Sequence, residues 1–475
     1  MANLTDLYRE SDAVALAQMV RTGDVSDSGL ADTAIGVIEA LNSGLNAVIC
    51  KLYDVGRGMA AWVDRTAPLA GVPYLLKEIA TGWQGIPATN CSRFLKDQVS
   101  SGDSQITTRI KASGLCLLGK TNAPENGWSI ATEPALCGAT LNPWDTALTP
   151  GGSSGGSSIA VATGMVPIAE SSDAAGSIRV PASCCGVIGL KPSRGRVSLA
   201  PLADYFAVAA YFSCNTRKVR DTAAYLDAIS GSLPGDPYAL PDPPASFASL
   251  MTRVPERLQV GFTVTDPAGN PVHPDMRATV IGAAKALKGL GHDVREHDMA
   301  FDADPLWRTY TDMTCVESAA FFGYMETVVG RPIGQGDVEP VTRALIERGR
   351  ATSGITHAGQ IETVRQIGRS VVQDLMPFDV FLTPTLTQLP RPKGFYDLTE
   401  TDLDIYNALW ADAVFMAPFN LSGQPAISLP LGISGHVPVG VQLVGRIGED
   451  GALLAVAAVL EQVMPWKNRR PPVNL

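Results

Sequence analysis

Histidine is scarce and one-sided in this chain. The five residues are His273, His292, His297, His357 and His436, so the first 272 positions contain none, and none of the five sits among spaced carboxylates or cysteines. An imidazole-based relay is therefore not written into the first half, although a distant histidine could fold back onto it. Cysteine is sparse as well. Eight residues without a Cys-x-x-Cys motif, two of them adjacent at Cys184 and Cys185, do not make a disulfide framework and suit buried reduced thiols in a cytoplasmic protein. No cluster has metal-ligand spacing, so neither a metal nor a cofactor is expected. Positive charge is short: Lys and Arg number 37 against 47 Asp and Glu, a net charge of −10, which argues against unaided binding of nucleic acid. Uninterrupted apolar length is missing too. The longest charge-free stretch, Ala413 to Gly445, is broken by Pro418, Pro425, Pro430 and Pro438, so no membrane span is expected. The opening Met1-Ala2-Asn3-Leu4-Thr5-Asp6 has no basic start leading into an apolar run, so export is not expected either.

What is present is globular: 45% hydrophobic and 18% charged residues in a chain of 475. Ser11 and Asp12 can cap a helix that stops at Gly23. Ser28 precedes Leu30, Ala34, Val37, Ile38 and Leu41, which share one helical face. Strand-like runs then alternate with helical patterns: Ala47–Leu52, Val72–Leu76, a helix near Ile106–Ser113, Leu115–Leu118, and Val166–Ala169 after a glycine-rich turn that opens onto a helix over Ile159–Met165. This alternation predicts an α/β fold with a large mixed sheet covered by helices on both faces. Pro234, Pro237, Pro241, Pro243 and Pro244 read as a surface connector. Beyond it the pattern resumes with a strand at Leu258–Phe262, a helix over Asp275–Leu290, a strand at Val294, and late strands at Ala426–Leu429 and Val439–Val444 before a helix near Asp450. The chain is accordingly read as one domain over 1–475, with a helical segment at 1–70, a core at 71–230 and a second half at 231–475 completing the sheet and the pocket. Two-domain folding is the alternative.

The least ordinary segment is Gly151-Gly152-Ser153-Ser154-Gly155-Gly156-Ser157-Ser158. A phosphate-cradling loop would need a Gly-Lys-Ser/Thr ending that is not here. A flexible linker fits poorly between close secondary-structure elements. A third reading is that the glycines permit a strained backbone that fixes hydroxyls in place. Nearby, the small residues Ala174, Ala175 and Gly176 allow successive backbone N–H groups to converge beside Ser177, as a tetrahedral oxyanion requires. Ser177 is then a candidate nucleophile in need of a base. In this half of the chain the candidate is Lys77, which closes the apolar run Gly71-Val72-Pro73-Tyr74-Leu75-Leu76. Burial there would favour a neutral amine; a lysine after an apolar run also snorkels to the surface.

Taken together, these segments resemble the amidase signature family. The resemblance is carried by Lys77, by Gly-Gly-Ser-Ser-Gly-Gly, by Gly176-Ser177-Ile178-Arg179 with Pro181, and by Cys185-Gly186-Val187-Ile188-Gly189-Leu190-Lys191-Pro192. Gly119-Lys120-Thr121-Asn122, Asn142-Pro143-Trp144 and Pro418-Phe419-Asn420-Leu421-Ser422-Gly423-Gln424-Pro425-Ala426 extend it over most of the chain, most weakly between about 235 and 410. It implies the amidase signature fold and a Ser–cis-Ser–Lys triad: Ser177 is acylated, Ser153, after a cis bond to Gly152, relays the proton, and Lys77 is the terminal base. It also implies an oxyanion hole formed by the N–H groups of Ala174, Ala175, Gly176 and Ser177. Asp173 and Arg179 are braces of the nucleophile or an ordinary ion pair.

Within the family the sequence is similar to the branch of 6-aminohexanoate cyclic-dimer hydrolases. The implied substrate is a small neutral amide: a cyclic or linear oligoamide, an anilide or a carbamate. Gly127 and Trp128 would line the acyl site, Gly127 leaving space near the scissile bond. Cys315 matches a pocket cysteine of that branch, or is simply a buried small residue. The expected state is a monomer or homodimer. The alternative is the amidase component of a tRNA-dependent amidotransferase, which needs partner proteins.

Overall fold

A computed structural model describes residues 4–204, 206, 209–253, 255–301 and 303–473, so Met1, Ala2 and Asn3 lie outside the described residues. Eleven strands among them form a single mixed sheet. In chain order they are β1 Val48–Lys51, β2 Pro73–Lys77, β3 Cys116–Thr121, β4 Ile168–Asp173, β5 Ile188–Lys191, β6 Tyr211–Thr216, β7 Gln259–Phe262, β8 Asp293–Glu296, β9 Val380–Pro384, β10 Ala426–Ser434 and β11 Val437–Gly445. Across the sheet the order is β1-β3-β2-β4-β6-β5-β10-β11-β9-β7-β8. The expected α/β fold is what is observed. Strands from both sides of the proline-rich stretch meet where β5 pairs antiparallel with β10, with Ala426 opposite Lys191. The prolines themselves lie on the surface.

Alternating strand residues feed two separate cores. In β9, Val380 and Leu382 pack into one with the helices Val219–Ile229, Pro274–Gly289 and Asp450–Val463, while Phe381 enters the other with Asp27–Leu45 and Gly155–Ala162. Side chains two apart point the same way in a strand, so the pattern is that of a sheet covered on both faces. No helix among the described residues is long and apolar enough to cross a membrane.

Two helix starts differ from the sequence expectation. The second helix is Asp27–Leu45, capped by Ser26, whose Oγ accepts from Gly29 N at 3.0 Å; Ser28 falls inside its first turn. The helix after the glycine-rich turn begins at Gly155, four residues before the apolar run. All eight of its residues are buried, so Gly156 is set by the backbone against it and the serines by their partners, not by hydrophobicity. Ser157 Oγ donates to Glu170 O (2.6 Å) and Ser158 Oγ to Asn215 Oδ1 (3.0 Å). The parallel neighbours β3, β2 and β4 run together, so their carboxyl ends open on one edge, the place where ligands bind in such sheets.

Candidate active site

Lys77 ends β2 and Asp173 ends β4, on that same edge. The Lys77 side chain does not reach the surface: it is fully buried. Its Nζ lies 2.7 Å from Ser153 Oγ, 2.9 Å from Ser172 Oγ and 3.4 Å from Ser172 O. Burial pushes the amine down to about 7, against the pull of the Glu170 and Asp173 carboxylates. A neutral amine has two N–H groups and one lone pair. Three oxygens are its neighbours, so the two of Ser172 can take the hydrogens while the lone pair faces the Ser153 hydroxyl.

Glu170 and Ser172, two apart in β4, share the strand face that meets Lys77. Glu170 Oε2 accepts from the Lys77 backbone N–H at 3.1 Å, and Oε1 accepts from the Thr81 hydroxyl. Burial raises its carboxyl to about 7. Neither Glu170 nor Ser172 was singled out by sequence. The signal available was the alternation of polar residues at 170 and 172 inside an otherwise buried strand.

Ser153 follows Gly152 through a cis peptide bond. A Cβ at position 152 would lie 2.5 Å from Ala131 O, so only glycine admits the close approach of these two segments. Ser177 is held beside this turn by its backbone, its carbonyl accepting from Ser154 N at 3.1 Å. Among the described residues its hydroxyl has no hydrogen-bond partner, and Ser177 lines the adjoining cavity.

The nucleophile turn is folded around Asp173. Its Oδ1 accepts from Gly176 N (2.7 Å) and its Oδ2 from Ile178 N (3.2 Å). The fully buried Arg179 pairs with it at 2.9 Å. Burial alone would raise the Asp173 carboxyl; the charge and hydrogen bonds of Arg179 and Asn420 outweigh it and hold the group well below the usual carboxylate range. This corrects one expected oxyanion donor. The Gly176 N–H is directed at Asp173, which leaves those of Ala174, Ala175 and Ser177 without partners among the described residues. Of these four positions only Gly176 has positive φ, at 110°, so Ala175 keeps torsions an alanine tolerates.

The cavity beside Ser177 has an empty volume of about 370 Å³. Gly127 and Trp128 line it as expected, with Ala174 and Ala175. At Gly127, where φ is 80°, a Cβ would stand 3.2 Å from Ser153 Oγ. The walls form a collar of rings. Centroids are separated by 5.5 Å for Trp128 and Phe206, 5.2 Å for Phe206 and Tyr310, 6.0 Å for Tyr310 and Trp307, 5.7 Å for Trp307 and Trp410, and 6.2 Å for Trp410 and Tyr406. The Tyr406 hydroxyl closes the collar by donating to Trp128 O at 3.0 Å. No Asp, Glu, Lys or Arg lines the cavity among the described residues.

Cys315 is not in that lining, contrary to the sequence expectation. It is fully buried in the helix Ala303–Val329, with its carbonyl packed against Gly349 and its thiol pushed up to about 12 by burial. The same helix instead presents Trp307, Tyr310, Thr311 and Thr314 to the cavity. Those positions, at i, i+3, i+4 and i+7, form one helical face that the sequence reading did not use. The Tyr310 hydroxyl also donates to Ala174 O, tying this helix to the nucleophile turn.

Comparison with known families matches residues 30–454 to the family described as Amidase. A 6-aminohexanoate-cyclic-dimer hydrolase of Paenarthrobacter ureafaciens is 38% identical over 481 residues, covering 98% of this chain and 97% of that protein. The amidase-like component of a glutamyl-tRNA(Gln) amidotransferase of Synechococcus sp. (strain WH7803) is 32% identical over 483 residues, covering 96% and 97%. Among solved structures, a 6-aminohexanoate cyclic dimer hydrolase complexed with substrate superposes with a TM-score of 0.93 at 37% identity, covering 98% of this chain and 99% of that one.

Proposed function

The chain belongs to the amidase family and is a hydrolase of carbon–nitrogen bonds, and we propose that it cleaves small neutral carboxylic amides through an acyl-enzyme on Ser177, with Ser153 as relay and Lys77 as terminal base. One observation carries this reading: a fully buried lysine, its amine lowered to about 7, lies 2.7 Å from the hydroxyl oxygen of Ser153. An amine that is half neutral near pH 7 is a competent base, whereas an exposed lysine is protonated there.

In the proposed cycle Ser177 Oγ bonds to the carbonyl carbon. Its proton passes to Ser153 Oγ as the Ser153 proton passes to Lys77 Nζ. The oxygen of the tetrahedral intermediate takes the negative charge and meets the free N–H groups of Ala174, Ala175 and Ser177. Collapse breaks the C–N bond, and the proton held by Lys77 returns through Ser153 to the departing amine. Water then enters by the same route in reverse, releasing the acid and restoring Ser177. The Ser153–Ser177 link is the one hydrogen bond this cycle requires that the unliganded site lacks; in the proposal it closes when substrate fills the cavity.

The uncharged aromatic collar supports a neutral substrate. The relatives' substrate, a cyclic dimer of 6-aminohexanoate, is of that type, as are linear oligoamides, anilides and carbamates. The similarity to an amidotransferase component supplies the second reading. Assaying the chain alone on linear amides, anilides, cyclic oligoamides and carbamates separates the two. Turnover without ATP or partner proteins is expected; turnover only in a complex would overturn the proposal.

A further inference from the structure

The collar contains three tryptophans, and among the described residues only one has an acceptor for its indole N–H. Trp410 is hydrogen-bonded to the hydroxyl of Tyr406. Nε1 of Trp128 and Nε1 of Trp307 are buried with no partner. Both residues line the cavity beside Ser177 and are themselves 8% and 7% exposed. Other donors in the same wall are already used: Tyr310 donates to Ala174 O, Tyr406 to Trp128 O, Thr311 to Asn407 Oδ1 and Thr314 to Tyr310 O. The fold can thus satisfy a donor in this wall, and it leaves two indoles open. A buried N–H without an acceptor is costly, so such groups in native proteins call for a partner that the protein itself does not provide.

We propose that the indole N–H groups of Trp128 and Trp307 are donor sites for carbonyl oxygen of the substrate other than the scissile one, so that the enzyme selects neutral diamides and longer oligoamides over monoamides. The inference deepens the reading of Ser177 as the nucleophile and rests on it. It follows from chemistry at the site. An apolar ring without charge excludes carboxylates and ammonium groups, while two isolated neutral donors favour a neutral acceptor, and an amide carbonyl is the strongest such acceptor of matching class. Opposite walls carry the two indoles, one on the segment after Gly127 and the other on the helix Ala303–Val329. A substrate amide held between them would be oriented as well as recognised.

The test uses two chromogenic probes of equal length, the p-nitroanilides of 6-acetamidohexanoic acid and of nonanoic acid, with Trp128→Phe, Trp307→Phe and the double variant. Phenylalanine keeps an aromatic wall and removes the donor. In the wild type kcat/KM is expected to be higher for the acetamido probe. Each single variant is expected to lose about three- to tenfold on that probe, the size of one neutral hydrogen bond, with the loss mainly in KM and the nonanoyl probe unchanged within about twofold. The nonanoyl probe reports that fold and triad are intact. Equal losses on both probes, or no loss on either, would overturn the inference while leaving the Ser177 reading standing. Failure of the wild type to cleave either anilide would overturn both.

Discussion

Asn420 Nδ2 donates to Asp173 Oδ1 at 2.8 Å and to Asp173 O at 3.0 Å, joining residues 247 positions apart at the foot of the nucleophile turn. The Tyr211 hydroxyl holds the Asn420 carbonyl at 2.7 Å, and the guanidinium of Arg179 meets both Asp173 and the side-chain oxygen of Asn420. A motif near the end of the chain thereby fixes the carboxylate that shapes the turn carrying Ser177.

Asp173→Ala is expected to destabilise the protein by about 3–5 kcal/mol, because it leaves the fully buried Arg179 without its countercharge. Urea unfolding measures the loss. Since the native state holds the Asp173 carboxyl below the usual carboxylate range, its contribution is complete at neutral pH and declines only as acid reaches that lowered range. The stability difference between wild type and variant should therefore shrink on acidification and be level from pH 6 to 8.

The pH dependence of catalysis should follow Lys77. A base lowered to about 7 makes kcat/KM rise through pH 7 and flatten above it. The Glu170 carboxylate pulls the lysine value upward, so Glu170→Gln should move the rising limb to lower pH. A limb that stays in place, or moves to higher pH, would contradict this coupling.

Lys77→Met should abolish turnover and change how stability depends on pH. Between about pH 7 and 10 the unfolded chain binds a proton at this lysine that the folded chain rejects, so wild-type stability climbs across that window. The variant lacks the climb. Its stability relative to wild type is expected to be greatest near pH 6–7 and to fall toward pH 10, as read from denaturant midpoints at each pH.

Gly127→Ala should cost about 1 kcal/mol or more from the left-handed backbone, and it places a methyl group 3.2 Å from Ser153 Oγ. Both kcat and the urea midpoint should therefore fall. A variant with the wild-type midpoint and the wild-type kcat would contradict the close approach of position 127 to the relay serine.

Much of this arrangement is legible in the sequence because close backbone approach leaves glycine no substitute. Gly152 and Gly176 mark the two turns, and Lys77 is conspicuous as the one charge ending an apolar run. The fold follows from strand and helix periodicity, which survives on both sides of the proline-rich stretch. What was hidden has a common physical cause: it depends on packing between distant segments. The helix Gly155–Ala162 starts before its apolar residues because neighbouring backbone, not solvent, surrounds it. Gly176 looks like an oxyanion donor until Asp173 is seen to claim its N–H. Cys315 and Thr314 are adjacent in sequence, but the helix turns one into the core and the other to the cavity. The aromatic collar is assembled from four separate stretches of chain, and no single window of sequence contains it.

The central claim, that Ser177 carries the acyl group, is tested most directly by rapid quenching during turnover of a p-nitroanilide followed by intact-protein and peptide mass spectrometry. The account predicts one added acyl mass on the peptide containing Ser177, absent in Ser177→Ala, which should also lose at least about 10³-fold in kcat. An acyl mass on another residue, or a Ser177→Ala enzyme that still turns over near the wild-type rate, would contradict it.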